Sequence, residues 1–171
     1  ARKSRGLGDV YKRQPNIGVI TNISYAHIKN FKNLWGVAQA KSEIINNIDK
    51  DGYIILNADD NFFSFFKSKS IKKKLKIVTF GVKKKSDVSL INIKKEKSLS
   101  VIYINFNKKK LKFIVKKNLE NYIYNILSTL AVISIYFDLE KLDKFFFNDY
   151  QFPEGRGAVS YTHLTLPTNI G

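Results

Sequence analysis

The stretch NIGVITNISYAHIKNFKNLWGVAQAKSEIINNIDKDGYIILN, residues 16–57, decides the fold of this chain. It opens on a short apolar, β-branched run, Asn16 to Ile23, of the kind that forms a strand buried on both faces. A polar loop follows. Apolar residues at Leu34, Val37, Ala38, Ile44, Ile45 and Ile48 then recur at helical spacing, and DKDG ends the helix. YIILN, Tyr53 to Asn57, is a second buried strand. The next residues, ADDNFFSFFKS, start a helix for which Asp59 or Asp60 is available as N-cap, and LKIVTFG, Leu75 to Gly81, makes a third strand.

Strand, helix, strand, helix, strand is the alternation of an α/β fold with a parallel sheet covered by helices. Beyond Gly81 the pattern changes. DVSLINIKKE, SLSVIYINFN and KLKFIVKKN alternate apolar with polar residues between short turns, which predicts an antiparallel meander with one wet face. Two helices are expected to close the chain, one from about Asn121 to Phe137 and one over DLEKLDKFFFNDY with Asp138 as N-cap.

Composition narrows the class of function. The 171 residues include no cysteine, which excludes a disulfide framework, a zinc-thiolate site and a cysteine nucleophile. No apolar run reaches the roughly 18 residues of a membrane span and no signal-peptide core is present, so a soluble cytoplasmic protein that engages no membrane is expected. The net charge of +16 invites a nucleic-acid reading. The lysines, however, come in short runs at the ends of apolar segments, where they keep sheet edges from pairing. No nucleic-acid partner is therefore expected, and a basic nucleic-acid-binding module is the alternative of a different class.

On open α/β sheets, ligands sit at the carboxyl ends of the strands, so the polar loop after the first strand is the candidate site. It carries His27, and Lys41 lies in the helix beyond. Read singly, His27 is a loop or core hydrogen-bonder and Lys41 a solvated surface lysine. Their order says more. AHIKNF (26–31) followed by VAQAKSEI (37–44), the NADD of 57–60, the NILSTLAV of 125–132 and the FPEGRG of 152–157 together resemble the central domain of the Mur ligases, the ATP-dependent amide-forming enzymes of bacterial peptidoglycan synthesis. Within that family the order is most similar to the branch that adds D-alanyl-D-alanine to UDP-N-acetylmuramoyl-tripeptide (UDP-MurNAc-tripeptide). Another Mur branch or a folylpolyglutamate synthase is the alternative.

The resemblance implies a set of roles. His27 matches the histidine that helps hold Mg²⁺, and Lys41 matches the lysine that family members carbamylate. The chemistry is coherent, since an ammonium repels Mg²⁺ whereas a carbamate offers the oxygen ligands that a hard cation takes. Asn125 matches the second asparagine of the adenine-contacting HNxxN pattern, whose preceding Gly, His and Asn positions hold Leu119, Asn121 and Tyr122 here. Arg156 matches an arginine that reaches the nucleotide. ATP and Mg²⁺ are the implied cofactors, UDP-MurNAc-tripeptide and D-alanyl-D-alanine the implied partners of the intact parent, and a monomer the implied state. Asn57, Asp59 and Asp60 also match, and capping accounts for them.

A ligase of this kind needs a phosphate loop of the GKT type, and the sequence contains none. RGLGDVYKRQ (5–14) offers two glycines one residue apart with no strand before them. The flanks are expected to have another origin: GAT GTG TAT AAG AGA CAG, the end of a common tagmentation sequencing adapter, translates to Asp9–Gln14, and the partner adapter's opposite strand translates to VSYTHLTLPT (159–168). Residues 1–14 and 158–171 are thus expected to be adapter-derived. Residues 15–157 are expected to be a partial central domain, inactive as a ligase by itself.

Overall fold

The computed structural model describes residues 14–24 and 33–150. One six-stranded sheet runs in chain order: β1 (Ile17–Ile20), β2 (Tyr53–Asn57), β3 (Lys76–Gly81), β4 (Val88–Lys95), β5 (Leu99–Phe106) and β6 (Lys109–Lys116). β1, β2, β3 and β4 pair in parallel, and β4, β5 and β6 in antiparallel. The fold is therefore the expected mostly parallel α/β sheet with a meander. The meander is not a separate layer, because β4 joins β3 through the register pairs Phe80↔Val88 and Gly81↔Ser89.

Both faces of the parallel half are covered, as the unbroken apolar run of β2 requires. Helices α1 (Leu34–Lys41), α2 (Glu43–Asn47) and α3 (Phe63–Lys72) belong to one face. There Ala38, Ile45, Ile48 and Phe66 pack with Ile20, Ile54 and Leu56. Helix α4 (Ile123–Ile133) covers the other face, where Ile126, Leu127, Leu130 and Ala131 meet Ile55, Phe80, Ile102, Ile104 and Phe113. Each large side chain removed from water in this way contributes roughly 1.5–3 kcal/mol before chain entropy is counted. None of the described helices is long and apolar enough to cross a membrane.

Three boundaries differ from the sequence reading. The helix expected from Leu34 to Ile48 is two, because the Ser42 hydroxyl donates to the Gln39 carbonyl at 2.6 Å and caps the first piece. Such a local side-chain bond competes with continuing the helix ladder. α3 starts at Phe63 rather than at an Asp59 or Asp60 cap; the Asp60 carboxylate instead closes a turn by accepting from the Phe62 N–H at 2.8 Å.

The closing segment is the third difference. α4 spans Ile123–Ile133 after a short 3-10 turn at Leu119–Tyr122. The final helix is reduced to a second 3-10 turn, Leu139–Lys141. Asp138 does cap it, accepting from the Glu140 N–H at 3.1 Å, but Asp143 opens a new turn by accepting from Phe145 at 2.6 Å. The Ile114 N–H then donates to the Lys144 carbonyl at 2.7 Å, which draws the segment to β6. Phe147 enters the core while Phe145 and Phe146 stay exposed.

Candidate functional site

The carboxyl ends of β1, β2 and β3 are tied together by the NADD residues that follow β2. The Asn57 side-chain amide donates to the Thr21 carbonyl at 2.9 Å, which joins β2 to the end of β1. Its carbonyl oxygen accepts from the Asp59 N–H at 2.9 Å. Asp60 accepts from the Ile23 N–H at 2.8 Å and so holds the chain leaving β1.

Asp59 is the centre of this joint. Its carboxylate accepts from three consecutive backbone N–H groups of the β3–β4 loop, Val82 at 2.6 Å, Lys83 at 3.0 Å and Lys84 at 2.8 Å. It also accepts from the Tyr124 hydroxyl on α4, at 3.1 Å. Burial works against the charged carboxylate, but the three backbone donors and the hydroxyl outweigh it and hold Asp59 below the usual carboxylate range. Tyr124 moves the other way: burial raises its hydroxyl pKa, and the neighbouring Asp59 charge and hydrogen bond raise it further.

These residues line a polar cleft of about 320 Å³ bounded by Thr21, Asn22, Asn57, Asp59, Tyr124 and Asn125 among others. Asn125 also borders a second cavity, of about 300 Å³, whose walls are Leu119, Tyr122, Ile126, Phe146, Phe147 and Tyr150 with a few polar neighbours. It therefore stands where a polar cleft meets an aromatic pocket, a composition suited to a planar ring whose polar substituent faces the cleft.

Of the residues singled out in the sequence, the fold brings two to this region. Lys41 is exposed at the end of α1, and its ammonium donates to the Asn22 carbonyl at 2.8 Å. Asn22 lines the cleft that Asn125 also lines, so both residues border the same strand ends. His27 and Arg156 lie outside the described residues. The described residues do not by themselves make a magnesium site. None of their His, Cys, Asp and Glu side chains form a group of three able to hold a metal. The oxygens of Asp59 and Asp60 are engaged by N–H and O–H donors.

Asn57, Asp59 and Tyr124 are the site residues that sequence reasoning passed over or explained as caps. A polar Asn-x-Asp-Asp at the end of a buried strand was the available signal for the first two. Nothing local pointed to Tyr124, which lies 65 residues from Asp59.

The family model described as the Mur ligase middle domain matches residues 2–133. The chain belongs to the Mur ligase family. Among curated relatives it is similar to the UDP-N-acetylmuramoyl-tripeptide--D-alanyl-D-alanine ligase of Buchnera aphidicola subsp. Baizongia pistaciae, 44% identical over 62 residues, 36% of this chain and 14% of that protein. It is also similar to the UDP-N-acetylmuramate--L-alanine ligase of Borreliella burgdorferi, 36% identical over 67 residues, 39% of this chain and 14% of that one. The Mur ligase chain thus spans about a seventh of these relatives where they match.

Solved structures agree at the level of the fold. A crystal structure of MurF from Acinetobacter baumannii superposes with a TM-score of 0.72 at 24% identity, over 84% of this chain and 31% of that one. The Thermotoga maritima MurF ligase in complex with ADP gives 0.67 at 18% identity, over 84% and 32%.

Proposed function

We propose that this Mur ligase chain is the nucleotide-side part of an ATP-dependent amide-forming ligase whose intact parent adds D-alanyl-D-alanine to UDP-MurNAc-tripeptide. The observation that carries the reading is the position of Asn125 between the polar cleft and the aromatic pocket, at the carboxyl ends of parallel strands. The aromatic pocket receives the adenine ring and the cleft receives the phosphate-bearing side of the nucleotide. Arg156 is assigned to the nucleotide as well. His27 and a carbamylated Lys41 are the residues assigned to Mg²⁺, which supplies charge against the phosphates when bound; the carbamate would replace the present Lys41–Asn22 contact.

In the parent reaction the tripeptide carboxylate takes the γ-phosphoryl group of ATP, releasing ADP. The amine of D-alanyl-D-alanine then attacks the acyl phosphate and expels phosphate. Positioning and electrostatic stabilisation dominate such transfers. The 171-residue chain, with no GKT loop in its sequence, is inactive on its own. Residues 1–14 and 158–171 are translated adapter in this reading. The match to the family model starts at residue 2 and so overlaps the first flank, and the source codons at both ends distinguish the two origins.

The test is an assay of the parent, recovered from trimmed nucleotide sequence extended upstream to a GKT loop. ATP-dependent formation of UDP-MurNAc-pentapeptide from the tripeptide and D-alanyl-D-alanine is expected. Turnover with UDP-MurNAc and L-alanine instead would support the second reading, motivated by the L-alanine-adding relatives. Turnover with neither pair, or codons at the ends unrelated to adapters, would overturn the respective claims.

A further inference from the structure

The Asp59 carboxylate does more than join two loops. Four donors converge on it, and three of them lie on consecutive residues of one loop, Val82 to Lys84. The fourth, the Tyr124 hydroxyl, comes from another element, the first turn of α4. Tyr124 directly precedes Asn125 in that turn, and the start of α4 has no side-chain cap of its own to set its position. The hydrogen bond to Asp59 is a polar contact that registers this turn against the strand ends. Gly81 keeps the approach close: a Cβ there would stand 3.3 Å from the Asp59 Oδ2 that accepts from Tyr124.

We infer that Asp59 and Tyr124 are positioning residues for nucleotide binding, holding the first turn of α4 so that Asn125 presents its side chain at the mouth shared by the polar cleft and the aromatic pocket. Neither needs to touch the ligand for this effect. Four protein donors already engage the Asp59 carboxylate, three of them at Oδ2, which makes it a fixed anchor for the turn that carries Tyr124. The inference rests on the nucleotide reading of the cleft given above.

A double-mutant cycle tests it on the 171-residue chain, with ADP as the probe and isothermal titration as the readout. Tyr124→Phe, which removes one oxygen and keeps the ring, is expected to weaken ADP about five- to tenfold, less than the whole of one charged hydrogen bond, because only the part that orders Asn125 reaches the ligand. In an Asn125→Ala background the same substitution should change affinity by less than about twofold, because the residue it positions is gone. A purely structural role for Tyr124 predicts equal losses in both backgrounds, and that additive result would overturn the inference. Asp59→Asn reaches the bond from its other end and should show the same dependence on Asn125, which keeps the test open if one variant folds poorly. Binding by the unsubstituted chain with an additive cycle refutes the positioning role alone. No ADP binding by that chain refutes the nucleotide reading, and the positioning role with it.

Discussion

Replacing Asp59 with asparagine isolates the joint on which the site is built. The carboxylate accepts from four donors, Val82, Lys83, Lys84 and Tyr124. An asparagine carbonyl has two lone pairs, and its amide would point two more donors at donors that are already there. At least two of the four bonds are lost. Lys83 and Lys84 are exposed and their N–H groups regain water, whereas the Val82 and Tyr124 bonds are partly buried. Hydrogen bonds to a charged group contribute about 1.5–3 kcal/mol each, so a net loss of roughly 2–3 kcal/mol is expected once resolvation is allowed for. For a chain of this size that corresponds to a melting temperature lower by about 4–12 °C.

The assay is thermal unfolding at pH 7 followed by the fluorescence of Trp35, the single tryptophan, whose ring centroid lies 4.7 Å from that of Phe65. The pH dependence adds a second arm. Because the Asp59 pKa is held below its ordinary 3.8 in the folded state, its contribution is fully present above that value and is lost as pH falls through the lower folded pKa. The unsubstituted chain should therefore lose stability in acid more steeply than Asp59→Asn does. A variant that melts within about 1 °C of the unsubstituted chain at pH 7, with an unchanged acid limb, would rule out Asp59 as the joint.

Other substitutions separate further contributions. Gly52→Ala should cost more than Gly18→Ala in urea denaturation. At Gly52 a Cβ meets the Asn16 carbonyl at 2.7 Å and the Asp49 carbonyl at 2.9 Å, whereas at Gly18 its closest neighbour, at 2.7 Å, is the flexible end of Ile48. Equal midpoints would contradict this. Phe66→Ala, at a fully buried position between sheet and helix, should lower stability by about 3–5 kcal/mol, read from the same titration. Lys41→Arg should leave the melting temperature of the chain nearly unchanged, because Lys41 is exposed. It should abolish ligation by the intact parent, because a guanidinium cannot become the carbamate; retained turnover would remove Lys41 from the proposed site.

Most of the element order and the α/β class follow from the residues alone. β2 was legible because Tyr53–Asn57 is apolar without alternation, and its central residues are indeed buried from both sides of the sheet. The meander was legible from period-two alternation, and the family from the order of separated motifs, since both are properties of spacing along the chain. Local competition was harder to see. The break at Ser42 and the loss of the last helix depend on single side chains, Ser42 and Asp143, closing turns that the apolar pattern alone would have run through.

The site's geometry arises from the folding of distant segments onto one another. That folding joined Asn57 to Thr21, Asp60 to Ile23, and Asp59 to both the β3–β4 loop and Tyr124. It also put Asn125 between a polar cleft and an aromatic pocket lined by Phe146, Phe147 and Tyr150 among others. Such contacts leave no periodic trace in a single sequence. A hydrogen bond between residues far apart along the chain is set by how the strands and α4 stack, and burial of the apolar faces brings those polar groups within reach.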